Sequence, residues 1–158
     1  MKLAQIFILA LCAASVTMHR CYNEAEVEKA ALKKLKKFPR PPDMTPSLNS
    51  SAGCPLELFK KPALEPLEDR SLSPWKYEIV SNTEFYPQTY TQAVCLCKGC
   101  IMSRNGTVID NQDYNSAQVI GSWVFMKREK CKKGGYKLKP ERRDVTMGCT
   151  CVRPSSSR

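Results

Sequence analysis

At 158 residues, with 11 prolines and 25% charged side chains, the chain has material for one small packed domain and excludes a protein that threads the bilayer repeatedly. A single histidine leaves almost no base for nucleophilic catalysis, and a formal net charge of +10 points toward acidic partners or surfaces. Nine cysteines make thiol chemistry the property to explain.

The first expected element is a leader. "MKLAQIFILALCAASVT" places Lys2 ahead of an apolar run from Leu3 to Ala14 with small residues behind it, the order of a secretory signal peptide over residues 1–18, cut near positions 14–20. The run is shorter than the roughly 20 residues a bilayer requires, so membrane insertion is not expected. Cys12 leaves with the leader. Cys21, Cys54, Cys95, Cys97, Cys100, Cys131, Cys149 and Cys151 remain, an even set that reads as disulfides in an exported chain.

Residues 19–53 form an extension in two parts. "CYNEAEVEKAALKKLKKF" spaces Val27, Ala31, Leu35 and Phe38 for one helical stripe, with acids early and lysines late to suit the helix dipole. It is expected to pack on the domain or stay only partly ordered, or else to act as a basic helix on a membrane surface or heparin. "PRPPDMTPSLNSSAGCP" then breaks regular structure. From Trp75 the period changes to two. "WKYEI" sets Trp75, Tyr77 and Ile79 on one strand face, "QTYTQAVCL" forms a second strand, "AQVIGSWVFMK" a third and "GYKLKPERRDVTMGCTCV" a fourth, with Pro140 marking an edge or bulge. Asn105-Gly106, between the second and third, is a hairpin-type turn signal. The third strand is apolar on both faces from Val119 to Met126; one small core covers one face, so a partner subunit is expected on the other.

The C-x-C and C-x-x-C spacings also suit a zinc thiolate site. The only histidine, His19, lies beside the cleavage region, however, and an oxidising compartment favours disulfides, so no metal or other cofactor is expected. "CKGC" lacks the βαβ surroundings of a thioredoxin-like centre. Acids stand among cations, as in "EPLEDR" and "KPERRD", the look of solvated surface charge, and no enzyme is expected. Cys95 and Cys97 on one strand, and Cys149 and Cys151 on another, each leave a single face, so a two-by-two ladder between strands is expected. A Cys95–Cys97 bond would close a tight ring.

"RSLSPWKYEI", "YPQTYTQAVCLCKGCI" and "GCTCV", in this order and at these distances, are similar to the interleukin-17 cytokine family over residues 54–153, leaving 154–158 as a tail. "CLC" and "NSSAGCP" look nearest to the D form of that family, then the C form. The resemblance implies a small, disulfide-rich, all-β, cystine-knot-like fold with a short N-terminal helix. It implies a secreted homodimer that engages interleukin-17 receptor ectodomains of the fibronectin type. It also implies bridges Cys95–Cys149 and Cys100–Cys151, serines Ser73 and Ser116 where a third knot bridge would lie, and an intersubunit bond between Cys54 and Cys131. The partners of Cys21 and Cys97 stay open. Val119, Trp123 and Phe125 are the expected dimer face. Sequons at Asn49 and Asn105 suit N-glycosylation. The net charge allows acidic glycans as partners, whereas nucleic acid is not expected. A second reading is a basic host-defence or glycan-binding protein acting directly on anionic surfaces.

Overall fold

The computed structural model describes residues 20–46, 53–60 and 66–155; the expected leader and the sequon at Asn49 lie outside them. Helix α1, Glu24–Leu35, starts where the Asn23 side chain accepts the Glu26 N–H at 2.8 Å, with Glu24 and Glu26 in the first turn and Lys33 and Lys34 in the last. A 3-10 turn, Leu58–Lys60, and a one-turn helix α2, Leu67–Arg70, lead into the strands.

Seven strands follow: β1 Trp75–Ser81, β2 Phe85–Tyr86, β3 Thr89–Cys95, β4 Cys100–Arg104, β5 Thr107–Asn111, β6 Asn115–Lys130 and β7 Tyr136–Val152. The sequence pattern leads one to expect four; β2 and the β4–β5 hairpin are additional. All pair antiparallel, as β1-β3, β2-β6-β7 and β4-β5. Asn105 and Gly106 both take positive φ, the requirement of a two-residue type I′ turn, and close β4 onto β5. β6 and β7 run together from Asn115↔Val152 to Lys130↔Tyr136, with a register shift at Val119/Ile120. β7 is the sheet's outer strand, which is where Pro140 costs no ladder bond.

The expectation for β6 is corrected here. Its C-terminal half is apolar on both faces, and this same chain covers both. On one face Phe125, fully buried, packs with Phe85 and Val145, flanked by Tyr90 and Trp123. On the other Met126 packs with Tyr86, Leu138 and the helical stripe Val27, Ala31 and Leu35. Helix α1 therefore takes the place assigned to a partner subunit. Phe125 has no surface to offer a second chain and Trp123 is partly covered; only Val119, 45% exposed, is open. Burying Val27 and Leu35 contributes roughly 1.5–3 kcal/mol each, which offsets part of the entropy lost in ordering a helix this short. A third cluster, Trp75, Tyr77, Ala93 and Cys149, lies under β1 and β3.

Candidate functional site: a cystine centre and an open strand end

The centre forms where β3, β4 and the end of β7 meet. Cys95 is bonded to Cys149 and Cys100 to Cys151, with Cα atoms 5.7 and 5.9 Å apart. Together with segments 95–100 and 149–151 the two bonds close a ring. The chain before β1 is laced to that ring: Leu96 N–H donates to the Pro74 carbonyl at 2.9 Å and Ile101 N–H to the Leu72 carbonyl at 2.7 Å. Ser116 N–H donates to the Lys98 carbonyl at 2.9 Å. These bonds bring the hydroxyls of Ser73, fully buried, and Ser116 together in a hydrogen bond. An unpaired buried hydroxyl is costly, so the two serines satisfy each other.

The expected ladder does not extend to Cys97. β3 ends at Cys95, and Cys97, buried beyond the strand, bonds Cys54 with Cα atoms 4.4 Å apart. Cys131, in the β6–β7 turn, bonds Cys21. The intersubunit pair Cys54 and Cys131 is thus corrected: each has a partner in its own chain. All eight cysteines among the described residues are bonded internally. The physical reason is proximity. Tyr22 and Tyr136 exchange two backbone hydrogen bonds of 2.8 Å, which holds Cys21 beside Cys131. Gly135 makes room for this, since a Cβ there would lie 2.5 Å from the Tyr22 carbonyl oxygen.

The sulfurs of Cys54 and Cys97 and a carboxylate oxygen of Asp110 lie within 4.8 Å of one another. The disulfide removes both thiolates, so the cluster lacks the soft ligands zinc would need.

The surface carries two electrostatic features. Arg128 bonds Glu24 at 2.7 Å, joining helix to sheet, and hydrogen bonds with Tyr86 and then Glu24 raise its pKa above the ordinary arginine value. Lys137, 2.9 Å from Glu129, lowers that carboxyl below its ordinary value, chiefly by hydrogen bonding. A lowered carboxyl favours the folded state above its unfolded pKa and loses that contribution as pH falls through the folded value. Lys137→Met is expected to raise the Glu129 pKa toward the ordinary carboxylate value in an NMR titration, with Lys139 and Lys127 still holding it slightly down. Stability should barely change, because ion pairs at the surface are screened by solvent and contribute little.

Exposed apolar side chains are found at the other end of β6, where Val119 and Ile120 are 45% and 56% exposed, at Ile79 of β1, and at Leu32, Leu67, Leu72 and Val152. Val119 and Ile120 leave opposite faces. The end of β6 near the cystine centre is therefore open on both sides, in contrast to its helix-covered end. No helix among the described residues is long and apolar enough to cross a membrane.

The sequence pattern of the interleukin-17 family matches residues 71–153, from just before Ser73 to just past Cys151. The chain belongs to the interleukin-17 family. It is 34% identical over 118 residues to mouse interleukin-17C, covering 65% of this chain and 60% of that protein. Human interleukin-25 is 33% identical over 93 residues, 56% of this chain and 52% of that protein. Human interleukin-17D is 34% identical over 88 residues, 55% of this chain and 43% of that protein. The chain thus spans roughly half the length of the curated relatives it matches. The leaning of "CLC" and "NSSAGCP" toward the D form is corrected, because the match to the C form is the longer at similar identity. Of the functional residues, the pairings of Cys21 and Cys97 were missed by sequence reasoning. The one available signal was Cys21 standing directly before an amphipathic helix that needed an apolar face to cover.

Proposed function

We propose that this interleukin-17 family chain is a secreted cytokine that binds single-pass receptor ectodomains as a dimer and triggers innate inflammatory signalling. The observation that carries the reading is the ring of Cys95–Cys149 and Cys100–Cys151, with the Ser73–Ser116 hydroxyl pair beside it, within the segment that matches the family. A panel of immobilised receptor ectodomains tests it. Saturable nanomolar binding to an interleukin-17 receptor is expected; activity only at micromolar dose on protein-free anionic vesicles would favour the direct-acting host-defence reading instead.

The dimer is non-covalent in this reading, because each described cysteine has a partner in its own chain. We assign the contact to Ile120, one of several exposed apolar side chains that also include Val119, Ile79, Leu67 and Leu72. On a non-reducing denaturing gel the protein is expected to run as a monomer, and native light scattering at micromolar concentration to give a dimer. Ile120→Asp should shift the native species to monomer while leaving the fold intact. A wild-type monomer under native conditions would remove the paired-ligand mechanism.

Asn105, exposed at the tip of the β4–β5 turn, is the sequon best placed for modification in this reading. Protein from a eukaryotic host should lose mass on treatment with an N-glycan amidase, and Asn105→Gln should abolish the part of the shift due to this site.

A further inference from the structure

The outward face of α1 and its C-terminal cap carry a row of cations, of which the helix dipole accounts only for Lys33 in the last turn. Lys29, Lys33 and Lys36 recur at intervals of four and three, and Lys37 adjoins them; all four are exposed. This row points away from Val27, Ala31 and Leu35, which are buried in the protein. The run continues: Lys33, Lys34, Lys36, Lys37 and Arg40 fall within eight residues without one acid. Tyr22 draws in a further cation, its ring lying 5.4 Å from the Arg20 guanidinium and 5.7 Å from the Lys34 ammonium. Among the described residues none of these lysines has a carboxylate within ion-pair distance, whereas Lys60, Lys76, Lys127 and Lys137 each do. Like charges at helical intervals of three and four repel. The row is held in place by the docked helix and awaits a polyanion.

We infer that the lysine face of helix α1 is an anchoring site for sulfated glycosaminoglycan. Lys29 to Lys36 spans about 10 Å along the helix, a length over which a linear sulfated sugar presents several charges. Two other polyanions fit less well. An interfacial membrane helix inserts its apolar face into the lipid, but here that face is enclosed by Tyr86, Met126 and Leu138. Single-stranded nucleic acid requires free aromatic platforms, and the Tyr22 ring already has two cations over it. The anchor would hold the ligand on matrix or cell-surface glycan while the cystine end stays free, and it does not depend on which receptor is bound.

The test uses the full chain on immobilised heparin, with fully desulfated heparin and phosphatidylserine vesicles as parallel probes. Replacing Lys29, Lys33, Lys36 and Lys37 by glutamine removes the row while keeping helix propensity. A matched variant replaces Lys130, Lys132, Lys133 and Lys139 by glutamine, an equal loss of charge at the β6–β7 turn and the adjoining strands. The row variant is expected to bind heparin at least tenfold more weakly, with a flatter dependence of log affinity on log salt, as counterion release predicts. The turn variant should lose far less, and desulfation should abolish binding by the wild type. Circular dichroism checks that α1 persists. Equal loss in the two variants, heparin affinity unchanged in the row variant, or tighter binding to vesicles than to heparin would each overturn the assignment.

Discussion

Gly99→Ala is expected to prevent the cystine ring from closing correctly. A Cβ at position 99 would lie 2.3 Å from the Asn111 carbonyl oxygen and 2.7 Å from Asp110 Oδ1. The oxygen is backbone at the end of β5, paired in register with Cys100, and cannot retreat without pulling Cys100 from its place opposite Cys151. Overpacking of this kind costs about 3 kcal/mol or more. A control is built into the fold. Gly106, at φ 77°, has nothing within 4 Å of an added methyl, so Gly106→Ala meets only backbone strain, about 1 kcal/mol. Thermal unfolding should rank wild type above Gly106→Ala above Gly99→Ala, and non-reduced peptide mapping of the last should show Cys100 bonded elsewhere in part of the product. Gly99→Ala as stable as Gly106→Ala would refute the close-approach account.

Removing the Cys21–Cys131 bond by Cys21→Ser with Cys131→Ser should release helix α1. The two cysteines are 110 residues apart. A loop of that size would be worth more than about 4 kcal/mol in the chain-entropy model, though the other bonds already shorten it, and about 3 kcal/mol is the expected loss. The ties that remain, the buried stripe Val27, Ala31 and Leu35 and the Tyr22–Tyr136 backbone bonds, are largely offset by the entropy of ordering the helix. The Arg128–Glu24 pair is mostly solvent-exposed at its carboxylate, and a helix of 12 residues is marginal by itself. Hydrogen exchange should therefore show the amides of Val27 to Leu35 unprotected while β6 and β7 stay protected, and the uncovered Tyr86, Met126 and Leu138 should bind a hydrophobic dye. Protection of those helix amides in the double variant would mean that packing alone holds the helix.

These two residue sets also mark how far the sequence could be read. The α1 stripe, the alternation of β1 and the turn at Asn105 and Gly106 follow from local periodicity and φ preference, both of which one chain carries openly. β2 has two residues, Phe85 and Tyr86, too few for any period to register, yet Phe85 and Tyr86 support opposite faces of β6. The double apolar face of β6 is visible in the sequence, but its cover belongs to this chain and not to a second molecule. A stripe on one element and a vacant face on another can be satisfied within a chain or between chains, and spacing does not distinguish the two. The same holds for Cys21, Cys54, Cys97 and Cys131. Their pairing is decided by the Tyr22–Tyr136 backbone bonds and by where β3 stops, neither of which is a property of cysteine spacing.

The hydrogen bond between Ser73 and Ser116 bears on how the chain reaches its native pairing during oxidation. Eight cysteines can combine in about 105 ways, and one more pair at these positions would multiply the alternatives about ninefold. Hydroxyls take no part in thiol exchange, so they form no wrong covalent partner and need no isomerase to correct one. The Ser73–Ser116 junction thus assembles as soon as the surrounding backbone is in place. A Ser73→Cys, Ser116→Cys variant would trade that immediacy for a larger combinatorial search, with slower recovery of the correctly paired form accompanying any added rigidity.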